Sequence, residues 1–402
     1  MNSHLQVWVH EQLVGSLSRM NGLVYFTPNP GWLAREQVPT LGLSFRRDSR
    51  PRRDPVLPSW FENLLPEQGS RLRSWLCRQA DIGEHDSLAL LAHIGQDLVG
   101  AVRVLGNLNS EPGQAAPSEF PRLRFSLAGM QLKLSMLLSG TRFILPAQDQ
   151  SGSWIVKIPG GQFADLPQVE FATMEWARSV NINVPEFKVT STQSIEGLEP
   201  KQLGEMAEVF AIRRFDRGLD GARIHQEDFA QALDYAPSEK YAESRGVGYD
   251  GLTKLVLDIC GVQEAEEFLR RVAFVVASGN DDAHLKNWSF QWIDDRAQLS
   301  PAYDLVCSIA WPDFGWDGQA APTLALALGR RRGFDALDGQ RLKTFARRCG
   351  LEGAEEKFRA ALLDAQQRWS QIAPLAPERM RQAIRTHWRR VPLLAQLGPL
   401  PE

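Results

Sequence analysis

The chain has 402 residues, which is longer than one hydrophobic core usually supports, so two or more lobes are expected. Its 43% hydrophobic and 23% charged residues and its formal net charge of −3 argue against binding of nucleic acid or membranes through overall charge. The four cysteines stand far apart, which argues against a disulfide scaffold or a zinc site. Because the N-terminus also lacks a signal-peptide pattern, we predict a cytoplasmic protein without membrane segments.

The N-terminal region begins with a pattern of small antiparallel strands. Apolar and polar residues alternate over residues 5–9, and two further short strands are predicted at 14–17 and 23–26. The pattern becomes helical over residues 60–91. The next distinct stretch, 107–122, is rich in Pro, Ser, Gly and Ala and predicts a domain boundary.

Beyond this boundary, strands come first and helices dominate later. An amphipathic helix is predicted over residues 167–180, and helices prevail from residue 249 onward. The predicted strands lie at 125–138, 141–145, 154–158 and 207–215, with a β-rich patch at 288–303. A β-containing lobe followed by a largely helical lobe is the order found in protein-kinase-like folds.

The segment from Gly279 to Asn287, GNDDAHLKN, carries the strongest chemical signal. Phosphoryl transfer needs a carboxylate that orients and deprotonates the attacking hydroxyl, and oxygen ligands for Mg²⁺. Asp282 is followed five positions later by Asn287, as in the catalytic loop of protein kinases. This spacing alone arises often by chance, so its weight depends on the residues that come after Asn287.

A predicted hairpin comes directly after the loop and leads to a second acid. Residues 288–293 read as a strand, 294–297 as a turn and 298–300 as a return strand, before the sequence PAYDL with Asp304. In kinases a hairpin in this place delivers an Asp that chelates Mg²⁺. Each piece alone is explained as well by a capped loop with a solvated acid, but together they favour a catalytic site.

A lysine upstream provides the matching half of such a site. Lys157, in the strand WIVK, resembles the phosphate-binding lysine of the kinase V-A-I-K strand. Glu170, on the next predicted helix, is the candidate for its ion pair. A strand-end lysine that reaches water is the alternative. In place of a glycine-rich loop the chain has FSLAGMQLK, whose backbone N–H groups could approach phosphates.

Ordered motifs over most of the chain resemble the HipA family, the kinase toxins of type II toxin–antitoxin modules. The motifs are FENLLPE (from residue 61), HIGQDLVGAVRV (93), SLAGMQLK (126), WIVKIP (154), NVPEF (183), RRFDR (213), HQEDFAQAL (225), KY (240), NDDAHLKNWS (280) and PAYDL (301). The resemblance implies an α+β, two-lobed protein-kinase-like fold with an extra N-terminal β-rich subdomain and a largely helical C-terminal lobe.

The resemblance also implies a domain division and site residues. The domains are an N-terminal subdomain (1–110), a linker (111–122), a kinase N-lobe (123–240) and a C-lobe (241–402). Asp282 is implied as proton acceptor, Asn287 and Asp304 as Mg²⁺ ligands, and Lys157 as the ATP phosphate lysine with Glu170 as its partner. The residues implied to line the nucleotide are Ala128, Gly129, Met130, Gln131, Leu132 and Lys133 of a phosphate loop, Arg213, Arg214 and Phe215 of a hinge, and His284, Leu285, Lys286, Asn287, Tyr303 and Asp304.

The family also implies regulation and partners. Ser126 matches the serine that these kinases autophosphorylate, which ejects the phosphate loop and silences the enzyme. A small helix-turn-helix antitoxin of the HipB type is expected to counteract the kinase and to be its only link to operator DNA. The expected substrate is a translation-related protein, with aminoacyl-tRNA synthetases as the leading class.

Two other functions remain open from the residues. A kinase of the same fold acting on a small molecule has the same loop, and a weakly active co-repressor partner of the antitoxin is a second alternative. The sequence HQED at residues 225–228 reads as a helix N-terminus or as a substrate contact. Basic patches at 330–332, 347–348 and 379–390 read as salt-bridged surface or as a DNA contact.

Overall fold

The computed structural model describes residues 4–34, 41–45, 50–106, 131–146, 151–160, 163–198, 207–294, 296–311 and 322–401. The chain divides into two compact units. The first comprises Met1–Gln162, Thr190–Ser238 and Phe290–Arg296, and the second comprises Phe163–Val189, Glu239–Ser289 and Ala297–Glu402. The predicted linker at 111–122 lies outside the described residues. In the part of the chain that is described, no helix is long and apolar enough to cross a membrane.

The first unit begins with a five-stranded antiparallel sheet in the order β4-β3-β2-β1-β5. Its strands are β1 (His4–Val9), β2 (Gln12–Met20), β3 (Leu23–Pro28), β4 (Arg52–Asp54) and β5 (Val102–Leu105). The predicted alternation is confirmed, because Leu5, Val7 and Val9 are fully buried in one hydrophobic cluster. The helices of this region are α1 (Pro30–Leu33), α2 (Ser59–Glu62), α3 (Arg71–Gln79) and α4 (Ser87–Ile94).

A second sheet has the order β7-β6-β8-β10-β9. Its strands are β6 (Gln131–Ser139), β7 (Arg142–Ile144), β8 (Trp154–Pro159), β9 (Phe187–Ser191) and β10 (Glu208–Arg213). One face is apolar: Leu134, Val156 and Ala211 lie opposite one another on three adjacent strands and belong to one buried cluster. The residues that alternate with these along each strand point to the other face, and they include the predicted phosphate lysine, Lys157.

A buried ion-pair network joins the end of β10 to the segment before β5. Asp216 accepts hydrogen bonds from Arg214 (2.7 Å), Arg217 (2.9 Å) and the Gly100 backbone N–H (2.8 Å), and Arg217 also pairs with Asp97 (2.8 Å). Burial by itself would raise the pKa of Asp216, but the charges of Arg214 and Arg217 outweigh burial and hold this pKa well below its usual range. The network explains why the RRFDR sequence is so rich in charge.

The HQED sequence is a short strand that ends in a helix cap. It forms β11 (His225–Asp228), and Asp228 caps α6 (Phe229–Ala232) through a capping box with Gln231. Glu227 is buried and accepts hydrogen bonds from the Leu43 backbone N–H (2.9 Å) and the Trp60 indole (3.2 Å). Only Asp228 therefore has the predicted role at a helix N-terminus, and the rest of the motif lies in a strand.

The second unit is mainly helical, as predicted. Its helices are α5 (Leu166–Ser179), α7 (Tyr249–Cys260), α8 (Val262–Ser278), α9 (Gly339–Cys349), α10 (Ala354–Ile372), α11 (Glu378–Arg390) and α12 (Pro392–Ala395). Trp176 of α5 is fully buried, packs on Phe274 and Trp369, and donates its indole N–H to the Ala365 carbonyl (2.9 Å). This aromatic cluster fixes α5 against α8 and α10.

Short strands complete the fold. They are β12 (Ser289–Ile293) and β13 (Arg296–Leu299), which form a sheet with β11, and β14 (Thr323–Leu328) and β15 (Arg331–Gly333). The return strand of the predicted hairpin starts at Arg296 rather than at 298. Asp294 adopts a φ of 48°, a conformation that Asp tolerates in tight turns, which permits the earlier reversal.

The basic patches contain ion pairs within the second unit. Arg332 pairs with Glu243 (3.4 Å), and Arg381 pairs with Glu378 (2.6 Å). Arg348 pairs with Asp250. These pairs agree with the salt-bridged interpretation of the patches.

Candidate active site

The candidate catalytic loop begins where α8 ends. Gly279 adopts a φ of 64°, and a Cβ atom at this position would lie 2.2 Å from Ile309 Cδ1, so a glycine is required on both grounds. The Gly279 carbonyl accepts the Ile309 backbone N–H (3.3 Å). The start of the loop is therefore packed directly on the segment that comes after Asp304.

The two adjacent acids of the loop have different surroundings. The Asp282 side chain is 56% exposed, and its Oδ1 atom accepts a hydrogen bond from the Tyr241 hydroxyl (2.8 Å). The Asp281 backbone N–H instead donates to Ser308 Oγ (2.8 Å). Burial raises the pKa of Asp281 to about 6, although a hydrogen bond between the Asp281 carboxyl group and Ser308 acts in the opposite direction. Exposure thus separates Asp282, which a substrate could reach, from its neighbour.

The amide of Asn287 closes the loop. Its Nδ2 atom donates to the Asp282 carbonyl (2.8 Å), which fixes the orientation of the amide and so of its Oδ1 oxygen. Between these residues the chain forms a short 3₁₀ turn in which Leu285 and Lys286 are buried. Leu285 is fully buried and its N–H donates to the Lys240 carbonyl (3.0 Å). Its side chain therefore packs in the interior and supports the loop. Contact between Leu285 and a nucleotide stays a prediction for its backbone alone.

Asp304 adopts a left-handed backbone conformation. Its φ is 53°, which is uncommon for residues other than glycine, although Asp adopts it more often than most. Tyr303, immediately before it, donates its hydroxyl to the Lys286 carbonyl (3.0 Å). The PAYDL segment is thus bonded to the catalytic loop on the N-terminal side of Asp304.

Helix α5 holds the segment on the other side of Asp304. The Cys307 backbone N–H donates to Thr173 Oγ1 (3.2 Å), and the Thr173 hydroxyl in turn donates to the Val169 carbonyl (2.7 Å). Thr173 and Glu170 are both fully buried on this helix. The helix that carries the predicted partner of Lys157 is therefore connected to the backbone that presents Asp304.

A row of residues with two lysines crosses the second sheet of the first unit. Lys157 on β8 lies directly opposite Lys133 on β6 and Phe210 on β10, so the three side chains share the face opposite the apolar cluster. Both lysines are buried, at 3% and 8% exposure, and Lys157 Nζ lies 5.4 Å from the centre of the Phe210 ring. Lysine ammonium groups bind phosphate oxygens, so two lysines on one sheet face make this face a candidate anion site.

The structure describes only the last part of the predicted phosphate loop. Gln131, Leu132 and Lys133 lie in β6, paired with Pro159, Ile158 and Lys157, and not in a loop. Ser126, Ala128, Gly129 and Met130 lie outside the described residues. The pairing of Lys157 with Glu170 joins residues of separate units and stays a prediction.

Arg213 and Arg214 of the predicted hinge take part in strand pairing and in a buried ion pair within the first unit. Arg213 pairs with Trp154 in the ladder between β10 and β8, and the Arg214 backbone N–H donates to the Ser153 carbonyl (2.9 Å). The Arg214 guanidinium is buried in the network with Asp216. The side chain of Arg214 is thus engaged within its own unit, and contact with adenine remains a prediction for the backbone at 213–215.

Three residues of this site were not assigned a role from the sequence. Tyr241 contacts Asp282, Ser308 contacts Asp281, and Thr173 contacts Cys307. The dipeptide KY was noted only as a family motif. No spacing rule connects positions 41, 27 or 134 residues apart, so only the folded chain brings these pairs together.

Comparisons with known proteins identify the family of the chain. The family profile "HipA-like C-terminal domain" matches residues 125–384, and "HipA N-terminal domain" matches residues 5–105. The protein named "Putative kinase Y4dM" of Sinorhizobium fredii is 35% identical over 373 residues, which are 86% of each chain. The protein named "Serine/threonine-protein kinase toxin HipA" of Shewanella oneidensis is 27% identical over 289 residues, 63% of each chain.

A solved structure has the same fold. In the complex of HipA with HipB and operator DNA from Shewanella oneidensis, the matched chain superposes with a TM-score of 0.71 at 22% identity, covering 98% of this chain and 96% of that chain. The predicted α+β, protein-kinase-like fold is thereby confirmed. The family profiles and the 35% identical relative show that the chain belongs to the HipA family and is a HipA-like serine/threonine protein kinase, an enzyme that uses ATP.

Proposed function

We propose that Asp282 is the proton acceptor of this kinase, that Asn287 and Asp304 hold Mg²⁺, and that Lys133 and Lys157 bind the phosphates of ATP. The observation that carries this proposal is the catalytic loop, in which the side-chain amide of Asn287 donates a hydrogen bond to the backbone carbonyl of Asp282, while the Asp282 carboxylate is exposed. This loop is bonded at Gly279 and Lys286 to the segment that contains Asp304.

The donor set suits Mg²⁺. Among the described residues no group of three or more His, Cys, Asp or Glu side chains could hold a metal ion. Mg²⁺ is usually bound by one or two carboxylates together with water and substrate phosphates, so an amide and a carboxylate oxygen suffice. The amide of Asn287 is oriented by its own Nδ2 bond, and Asp304 is fixed by neighbours on both sides.

In the proposed reaction Asp282 accepts the proton of a Ser or Thr hydroxyl as its oxygen attacks the γ-phosphorus. A new O–P bond forms, the bond between the γ-phosphorus and the bridging oxygen breaks, and ADP leaves. Mg²⁺ would supply neutralisation of the charge on the phosphate oxygens. We propose that the ammonium groups of Lys133 and Lys157 also neutralise negative charge on the phosphates, and the burial of both lysines on one sheet face supports this role.

We expect Asp304→Ala to weaken nucleotide binding only when Mg²⁺ is present. The substitution removes one carboxylate ligand and leaves the lysine pair unchanged, so metal-free binding should not alter. Titration of ATP with MgCl₂ and with EDTA measures both constants. Asp335→Ala, at an acid of the same unit outside the site, is the matched control, and equal titration curves for Asp304→Ala and wild type in MgCl₂ would contradict the role.

Ser126 is proposed to be autophosphorylated, with loss of activity as the consequence. After incubation of the pure protein with Mg²⁺-ATP, we expect phosphate on the peptide that contains Ser126. The corresponding peptide of Ser126→Ala should carry no phosphate. Mass spectrometry of proteolytic fragments measures it. Incorporation at other sites only would remove Ser126 from this role while leaving the kinase activity intact.

The biological assignment rests on the relatives. One is named a kinase toxin, and a structural neighbour was solved with HipB and operator DNA. We propose that this chain is the toxin of a type II module, that a helix-turn-helix antitoxin of the HipB type restrains it, and that it reaches DNA only through that protein. We further propose a translation-related protein as substrate, with aminoacyl-tRNA synthetases as the first class to test. The division into domains at 111–122 belongs to the same proposal.

A further inference from the structure

A tyrosine outside the catalytic loop contacts the proposed proton acceptor. The Tyr241 hydroxyl donates to Asp282 Oδ1 at 2.8 Å, and His284 Nε2 lies 3.9 Å from the same oxygen. Both contacts therefore reach one oxygen of the carboxylate. All three residues belong to the second unit.

Tyr241 is itself held in place from several directions. Its ring lies edge-on to the His284 ring, with centroids 5.3 Å apart, and Lys240 Nζ lies 5.3 Å from the Tyr241 ring centroid. The Arg332 guanidinium donates to the Tyr241 carbonyl. The neighbouring Ala242 is fully buried with a φ of 54°. The position of the hydroxyl is thus set by the fold rather than by a flexible surface loop.

Asp282 needs such a contact because its side chain is exposed. At 56% exposure the carboxylate has little packing to select one rotamer, and a catalytic group must be oriented to be effective. An ionised carboxylate has about four lone-pair positions, so it can accept the Tyr241 hydroxyl and a substrate hydroxyl together. A charge-assisted hydrogen bond from a rigid donor supplies orientation without occupying the whole group.

We propose that Tyr241 is a positioning residue that orients the Asp282 carboxylate for proton transfer through Oδ1. The inference rests on the proposed role of Asp282 and goes beyond it by assigning a second residue to the same step. Tyr241 does not contact the reacting atoms in this scheme. Its hydroxyl anchors one carboxylate oxygen, and the substrate proton goes to the other.

The test is Tyr241→Phe, which removes the hydroxyl and keeps the ring that faces His284. We expect kcat for ADP formation from Mg²⁺-ATP to fall about 10- to 100-fold, the range for loss of a hydrogen bond to a charged group. The KM for ATP and the midpoint of thermal unfolding should stay at wild-type values, because the ring packing is kept. Tyr25→Phe, on β3 of the first unit, is the matched control and should change none of the three quantities.

The outcomes separate this inference from the proposed function. Asp282→Asn is measured beside Tyr241→Phe. Wild-type turnover that is lost in Asp282→Asn but retained in Tyr241→Phe would overturn the positioning role alone. A Tyr241→Phe enzyme with a lower unfolding midpoint and a raised KM would identify a merely structural tyrosine and also overturn it. Equal rates in wild type and Asp282→Asn would overturn the proposed function, and this inference with it.

Discussion

We expect Asp282→Asn to fold and to bind ATP as the wild type does, while phosphoryl transfer slows by about 10²–10⁴-fold. The amide has nearly the same shape as the carboxylate and can still accept the Tyr241 hydrogen bond, but it cannot take a proton from the substrate hydroxyl. The loss should therefore appear in kcat and not in the affinity for ATP. Initial rates of ADP formation and a direct ATP titration measure the two quantities.

Asp281→Asn is the matched comparison for this variant. It makes the same chemical change one residue earlier, at an acid that interacts with Ser308 and whose pKa burial raises to about 6. We expect this variant to keep most of its activity. Abolished turnover in Asp281→Asn together with retained turnover in Asp282→Asn would reverse the assignment of the two acids.

We expect Asp216→Ala to lose about 3–5 kcal/mol of the free energy of unfolding. Asp216 accepts hydrogen bonds from Arg214 and Arg217 and from the Gly100 backbone. The side chains of Asp216, Arg214 and Arg217 are all buried. Without the Asp216 carboxylate, the buried guanidinium groups of Arg214 and Arg217 lose the negative charge that they share. Asp97 is then the acid that still pairs with both arginines. Urea unfolding followed by tryptophan fluorescence measures the change.

An exposed ion pair of similar chemistry is the control for this prediction. Lys254 and Asp258 lie one helical turn apart, and both side chains are 56% exposed. Asp258→Ala should cost no more than about 0.5 kcal/mol, because water screens and solvates both charges. An equal loss in the two variants would show that the buried network contributes no more than a surface pair.

Local patterns in the sequence predicted most of the secondary structure. Alternation placed β1 within residues 4–9, and the amphipathic pattern placed α5 within one residue of its observed bounds, Leu166–Ser179. The hairpin after the catalytic loop was predicted, with an error of two residues at Arg296. These successes have a common cause, since strand and helix periodicities are set by neighbouring residues and by which face is buried.

Local patterns did not indicate the surroundings of individual side chains. Gln131–Lys133 belong both to the strand predicted over 125–138 and to the predicted phosphate loop; they lie in β6, which agrees with the strand, and their contact with phosphates stays a prediction. The side chain of Leu285 is fully buried, which local patterns did not indicate, and the predicted contact of its backbone with a nucleotide stays a prediction. The hinge arginine Arg214 turns toward Asp216 and Asp97. A sequence read locally does not state which distant groups a side chain meets.

The sequence by itself determined the type of chemistry, and it predicted the residues that would perform it. The spacing of Asp282 and Asn287, the Asp304 beyond the hairpin and the strand lysine Lys157 identified a kinase, and the ordered motifs identified its family. Only the tertiary structure decided how the loop is held. The contacts of Asp282 with Tyr241, of Asp281 with Ser308 and of Thr173 with Cys307 join residues that are distant in the chain. Such contacts exist because hydrophobic burial packs the helices and strands together, and hydrogen bonds then form between whichever polar groups that packing brings within about 3 Å.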